Sequence, residues 1–498
     1  MHPLLGKTTA TLAVMFAALA VPYASPKMRA LRVVHAPWDK EVSGEIAGEG
    51  GDGPSRPAPS ASVGEQALGA AKNEATITNA LASKAGAPSP AVDPAVLARL
   101  AGSLAVEDPT GHALDAFYAQ LSKTAKKEPG AITRILHYGD SVIASDLISG
   151  PARRRMQEKY GDAGHGFILI ANPWQWYFHN DVTHHNSEGW NAARLAGPIA
   201  SDGYYGLGGV SFQSYGGGLA FFGTMDKGDY GRKVSRFDLY YLEQPGGGEV
   251  EIKVRNGPTE KLSTRAPPSE PSAAGAHGGE GKDGKISRVH SITVPDGEAS
   301  ISLRPLSNVR LFGVSLERDV PGVQYDALGS HAAMAVYWLR QDAAHWKDQM
   351  ALRKPSLVVL QYGTNESELW KIEWDEYEKK LGEVFDRVRA AAPMASVLVM
   401  APLDRAERGA GGALGTKPVI LKLREVQRRV ALAKGFAFWD TFTAMGGEGS
   451  MAKWVKSEPQ LAGGDLTHPT PAGSEVLGNM LVNALTSGFD AWTSSARP

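Results

Sequence analysis

Residues 135–141, Ile-Leu-His-Tyr-Gly-Asp-Ser, form an apolar run that ends in a glycine, a carboxylate and a hydroxyl, with a helical stretch behind it. Ser141 would then stand at the carboxyl edge of a sheet, where the chain turns sharply and the free N–H groups of the next helix face any developing negative charge. That is a nucleophile's position, although Asp140 and Ser141 taken alone read equally well as a helix N-cap. A hydroxyl nucleophile needs a base, and the base needs orienting. Asp465-Leu466-Thr467-His468-Pro469 offers both. Its two-residue gap lets the carboxylate curl back onto one imidazole nitrogen while the other faces Ser141, and Pro469 and Pro471 stiffen the loop. An isolated Asp-x-x-His, by contrast, is more often a plain turn. An oxyanion would need donors at the same edge. The run 356–362 leads into Gly363-Thr364-Asn365-Glu366, which supplies a side-chain amide, and Gly329 supplies either a backbone donor or merely a turn glycine.

These groups meet only if the elements that carry them share one sheet. Short apolar runs at 132–138, 323–328, 356–362, 397–402 and 436–442 read as buried parallel strands, and helices are expected at 146–159, 332–350, 375–391, 419–434 and 472–485. Strand alternating with helix predicts a doubly wound α/β sheet. Residues 94–125 carry leucines and a phenylalanine at helical spacing, including Leu104, and predict one or two further helices. Between 172 and 318 the pattern changes to period-two segments at 210–214, 219–223, 234–243, 250–255, 287–294, 301–304 and 309–317, which predict an inserted β-sandwich with a long loop at 266–285.

The composition narrows the rest. The 498 residues can hold more than one domain, and 43% are hydrophobic. Lysine plus arginine (52) balance aspartate plus glutamate (53), so no global field favours nucleic acid or an anionic membrane. Cysteine is absent, which excludes thiol nucleophiles and zinc-thiolate sites. The chemistry above needs no cofactor or metal. Residues 1–25 have a basic start, a short apolar core and small residues after Pro22, as an export signal or an uncleaved amino-terminal anchor would, and 26–94 reads as a Pro/Ala/Gly/Ser-rich tether. An exported location in the envelope, periplasm or medium is expected, with any membrane contact made through that anchor. Within the insert, Trp174, Trp176, Tyr177 and Trp190 (with Tyr204 and Tyr205) are either glycan-stacking faces or core. His179, His184 and His185 read as surface histidines rather than metal ligands.

Taken together, Gly139-Asp140-Ser141, Gly329, Gly363-Thr364-Asn365 and Asp465 to His468 resemble the four ordered blocks of the SGNH/GDSL hydrolases. The resemblance covers 130–171 and 323–488. It implies a flavodoxin-like three-layer α/β/α domain at 95–171 and 319–498, a triad of Ser141, His468 and Asp465, and oxyanion donors at the Ser141 amide, the Gly329 amide and Asn365. The 188 positions between Ser141 and Gly329 depart from a minimal member. This interruption by a carbohydrate-binding-module-like sandwich at 172–318 is similar to bacterial peptidoglycan O-acetylesterases. The expected partner is an acylated glycan and the expected reaction removal of an O-acetyl or other short acyl group. An O-acyltransferase using the same residues and a non-catalytic glycan-binding protein are the alternatives.

Overall fold

A computed structural model of the chain describes residues 104–267 and 284–495. The segments expected as export signal (1–25) and tether (26–94), and most of the 266–285 loop, lie outside the described residues. Five parallel strands form the central sheet: β1 (Ile132–Gly139), β2 (Gly322–Gly329), β3 (Leu357–Gln361), β4 (Ser396–Met400) and β5 (Ala437–Trp439), in the order β2-β1-β3-β4-β5. Seven helices matter for its coverage: α1 (Asp115–Ala125), the single turn α2 (Ser141–Ala144), α3 (Ser149–Tyr160), α4 (Ala343–Arg353), α5 (Trp374–Ala391), α6 (Pro418–Ala433) and α7 (Pro471–Ser495).

Successive side chains of a strand point to opposite faces, so a run apolar at every position must be covered on both. Ile135, Val323, Tyr325, Leu357, Val359 and Leu398 share one core with α1, α3 and α7. Leu136, Tyr138, Val358, Leu360, Val397 and Val399 share the other with α4, α5 and α6. This is the three-layer α/β/α arrangement the alternating pattern predicts.

The insert forms two antiparallel sheets. One runs Ile286–Gly297, Val234–Glu243, Val309–Glu317, Val210–Ser214, Asn191–Arg194, and Gly166–Leu169 also pairs with Val309–Glu317; the other runs Thr183–Asn186, Ala220–Gly223, Ser300–Pro305, Glu249–Val254, Thr259–Ser263. Gly166–Leu169 precedes residue 172, so the sandwich draws a strand from the segment read as hydrolase. A buried ionic knot locks the sandwich to the α/β sheet. Arg353 on α4 donates to both carboxylate oxygens of Asp326 on β2 (2.6 and 2.7 Å) and to Glu317 of the sandwich (2.5 Å). All three are essentially inaccessible, so removing one partner would strand a buried charge, at a cost of about 3–5 kcal/mol.

Two helical expectations are corrected. The stretch 146–159 does not start at Asp146, whose backbone is left-handed (φ 53°); the chain makes the turn α2 first and starts α3 at Ser149. The stretch 332–350 is split, because Ala332 is left-handed (φ 60°) and Gln341 is extended between a 3₁₀ turn, Ala335–Arg340, and α4, which Asp342 caps at the His345 amide. Leu104 is not helical either: residues after it run alongside β5, with Glu107 and Phe438 exchanging backbone bonds of 2.7 and 2.9 Å.

Candidate active site

Gly139 ends β1, and the chain turns at once into α2. Asp140 caps that turn: one carboxylate oxygen accepts from the Val142 amide (3.2 Å) and the other from the Thr364 amide (3.1 Å) of the loop after β3. The N-cap reading is compatible with the nucleophile reading, since the same carboxylate shapes the serine turn and ties it to the asparagine loop. Gly329 lies beside Gly139 in register at the end of β2. A β-carbon there would come within 2.2 Å of the Ala144 nitrogen and 2.4 Å of the Ile143 carbonyl carbon. Only glycine lets the two strand ends and the serine turn close to this distance.

The loop before α7 carries the imidazole. Leu466 adopts a left-handed backbone (φ 60°), which folds Asp465 back so that one oxygen accepts from the Thr467 and His468 amides (3.2 Å each). The other oxygen lies 2.5 Å from His468 Nδ1, and His468 Nε2 lies 2.8 Å from Ser141 Oγ. Ser141 and His468 are each about 1% exposed. Burial would raise the Asp465 pKa, but the imidazole bond, the imidazole charge and the two amides outweigh it and hold the carboxyl below its usual range. The orienting carboxylate is thereby kept ionised, and Nδ1 is the nitrogen that donates to it.

Asn365 is buried at the same edge, and its side-chain amide donates to the Ala333 carbonyl (2.8 Å), leaving the second amide hydrogen for another acceptor. Gly363, at φ 135°, makes the turn that delivers it; a β-carbon would meet Pro402 at 2.6 Å. All four sequence-predicted blocks thus converge at the carboxyl ends of β1, β2 and β3 and the loop before α7. The arrangement can deprotonate a hydroxyl and place an amide donor nearby, which suits acyl transfer to and from Ser141.

The insert's aromatics divide. Tyr177 is a buried core residue whose hydroxyl accepts from the Leu169 amide (2.8 Å). Trp174 is 7% exposed, Tyr204 and Tyr205 are buried, and Trp190 packs over Gly218 with its indole donating to the Leu219 carbonyl (3.2 Å). Trp176 comes nearest the serine turn: its carbonyl lies 3.5 Å from Ser145 Oγ and its ring 4.8 Å from that of His331. The surface reading of the histidines fails for His179, which is buried with its Nδ1 3.3 Å from His165 Nε2, while His185 is exposed. Among the described residues no cluster of three or more His, Asp or Glu is arranged to hold a metal, and no helix is long and apolar enough to cross a membrane.

Two residues that tie the loops of the candidate site together were not singled out from the sequence. Arg405 donates to the Thr364 carbonyl (2.9 Å), to Ser367 Oγ and to Thr467 Oγ1 (3.1 and 2.8 Å), so one side chain binds the asparagine loop to the histidine loop. Glu366, 1% exposed, accepts from the Ala335 amide (2.9 Å) and so holds the segment after Gly329; burial, with the Asp140 charge, lifts its pKa to about 8. Neither belongs to a block or a periodic pattern, and only its position after Asn365 could have singled out Glu366.

The GDSL-like lipase/acylhydrolase family matches residues 307–476, a segment that contains Gly329, Asn365, Asp465 and His468. The insert separates Ser141 from this stretch. No curated protein matches the chain. Among solved structures, a peptidoglycan O-acetylesterase superposes with a TM-score of 0.62 at 23% identity, covering 78% of this chain and 99% of that one. A family two carbohydrate esterase from Cellvibrio japonicus gives a TM-score of 0.25 at 10% identity, covering 62% of this chain and 99% of that one. The family match over residues 307–476, the shared fold and the order of the four blocks agree with an SGNH/GDSL-type carboxylic ester hydrolase.

Proposed function

We propose that the protein is an exported serine esterase that removes O-acetyl or other short acyl groups from a cell-envelope polysaccharide, with peptidoglycan the leading candidate. The observation that carries the reading is the continuous chain from Ser141 Oγ to His468 (2.8 Å) and on to Asp465 (2.5 Å) at a sheet edge that also holds Asn365. His468 Nε2 takes the Ser141 proton as Oγ attacks the ester carbonyl, and Asp465 stabilises the imidazolium. The oxyanion is received by the Ser141 and Gly329 amides and the second Asn365 N–H. The leaving sugar hydroxyl takes the proton from His468, and water, activated by the same imidazole, releases the acyl group.

The glycan assignment draws on the sandwich that abuts the serine turn through Trp176, and on the shared fold of a protein described as a peptidoglycan O-acetylesterase. Acetate release from O-acetylated peptidoglycan and acetylated xylan, set against p-nitrophenol release from p-nitrophenyl palmitate, tests it. Peptidoglycan is expected to be the best of the three, with activity absent in Ser141→Ala. Preference for the long-chain ester would overturn the assignment. Acyl transfer to an added glycan acceptor that outruns hydrolysis would identify a transferase, and binding of polysaccharide without any ester cleavage a binding protein.

A further inference from the structure

The sandwich carries an arginine that has no counter-ion among the described residues. Arg194 ends the strand Asn191–Arg194, paired opposite Val210, and its side chain is half-buried. Its guanidinium carbon lies 5.9 Å from the centre of the Trp174 ring. Among the described residues no carboxylate lies within ion-pair distance and no acceptor takes any of its side-chain N–H groups; burial alone bears on its pKa, downward. Other buried arginines are treated differently. Arg310 is held by Asp202 (2.6 and 3.0 Å), Arg153 by Asp146 (3.1 and 2.8 Å) and Arg353 by Asp326 and Glu317. A partly desolvated guanidinium whose nitrogens still reach solvent and meet no acceptor among the described residues is placed to receive a partner from outside.

Its location says which partner. The Trp174 ring lies 6.3 Å from His331, whose ring also meets Trp176, and His331 feels the charges of both Arg194 and His468. Arg194 is therefore linked to the site through Trp174 and His331. Burial pushes His331 down to about 4, so it is neutral at physiological pH and adds no second positive charge. A single planar fork carrying one charge matches a carboxylate better than a phosphate dianion.

We propose that Arg194 is an anchor for a carboxylate carried by the acylated glycan, so that the site selects acidic substrates. The inference rests on the esterase reading above. It is tested with Ser141→Ala protein, titrated calorimetrically with 6-O-acetyl-N-acetylmuramic acid, with its lactyl methylamide, and with the N-acetylmuramoyl-alanine conjugate, which moves the carboxylate onto a peptide. At least one acid is expected to bind about 10-fold or more tighter than the methylamide, and the tighter acid identifies the carboxylate's source. Adding Arg194→Gln should bring acid and methylamide within about twofold, with Arg194→Lys in between. Equal binding of acids and methylamide, no binding of any, or a preference that survives Arg194→Gln would overturn the anchor. Hydrolysis of p-nitrophenyl acetate by the wild-type protein reports on the esterase reading separately, so the two failures are distinguishable.

Discussion

Gly329→Ala tests how the strand ends are fitted together. The added methyl would lie 2.2 Å from the Ala144 nitrogen, 2.4 Å from the Ile143 carbonyl carbon and 2.7 Å from the Ala144 α-carbon. Ordinary carbon contacts fall at about 3.5–4.0 Å, and all three obstacles are backbone, so relief requires the serine turn and β2 to part by on the order of 1 Å. Overpacking of this kind costs about 1–3 kcal/mol. A misplacement of about 1 Å costs about 100-fold in rate, because the Ser141 to His468 bond and the oxyanion donors must be aligned at once. The assay is kcat and KM on p-nitrophenyl acetate beside a thermal melt followed by circular dichroism. The expected outcome is a folded protein, melting several degrees lower, with kcat down about 100-fold and KM little changed. Gly382→Ala is the matched control: its methyl would meet only Lys434 Cε at 3.8 Å within helix α5, so it should stabilise by about 0.5–1 kcal/mol with activity unchanged. A Gly329→Ala variant with wild-type kcat would refute the close-approach reasoning.

Asn365→Ala should lower kcat by about 10²–10³-fold with little change in melting, as loss of one oxyanion donor does; unchanged kcat would remove it from the hole. Arg405→Met should lower kcat about 10-fold by loosening the histidine loop from the asparagine loop, with Arg405→Lys recovering part of the loss and KM within about twofold; a fall in melting temperature with kcat intact would make it merely structural. Glu366 is raised above its ordinary 4.5 to about 8, so its stabilising contribution is complete below pH 4.5 and is lost as pH rises through 8. Melts across pH 5 to 8.5 should therefore show the wild type losing stability relative to Glu366→Gln as pH rises, and parallel curves would contradict a buried neutral acid.

The sheet was legible because its strands are covered on both faces, so β3 to β5 appear as largely apolar runs and β1 and β2 as apolar runs broken by Arg134 and His137 and by Gln324 and Asp326, and strands 210–214, 234–243 and 309–317 match their expected bounds. The candidate site was legible because three of the four blocks join a polar side chain to a residue that shapes its turn, while Gly329 stands alone. The strands that escaped are short or polar: Thr183–Asn186, Asn191–Arg194 and Thr259–Ser263 carry little apolar alternation, and Gly166–Leu169 is buried throughout but its partner lies some 140 positions away. Helix bounds failed where a left-handed residue, Asp146 or Ala332, interrupts helical spacing, because neither is a glycine that would advertise it. Arg405 and Arg194 escaped because their roles depend on what lies across a gap. One is held by two loops; the side chain of the other meets no acceptor among the described residues.

The central claim is that Ser141 is the hydroxyl activated by His468, and covalent trapping tests it most directly. Reaction with a fluorophosphonate, followed by peptide mass spectrometry, should place one adduct on the peptide bearing Ser141, with labelling slowed by several orders of magnitude in His468→Ala. Inactivation with the adduct on another residue and Ser141 unmodified would contradict the account.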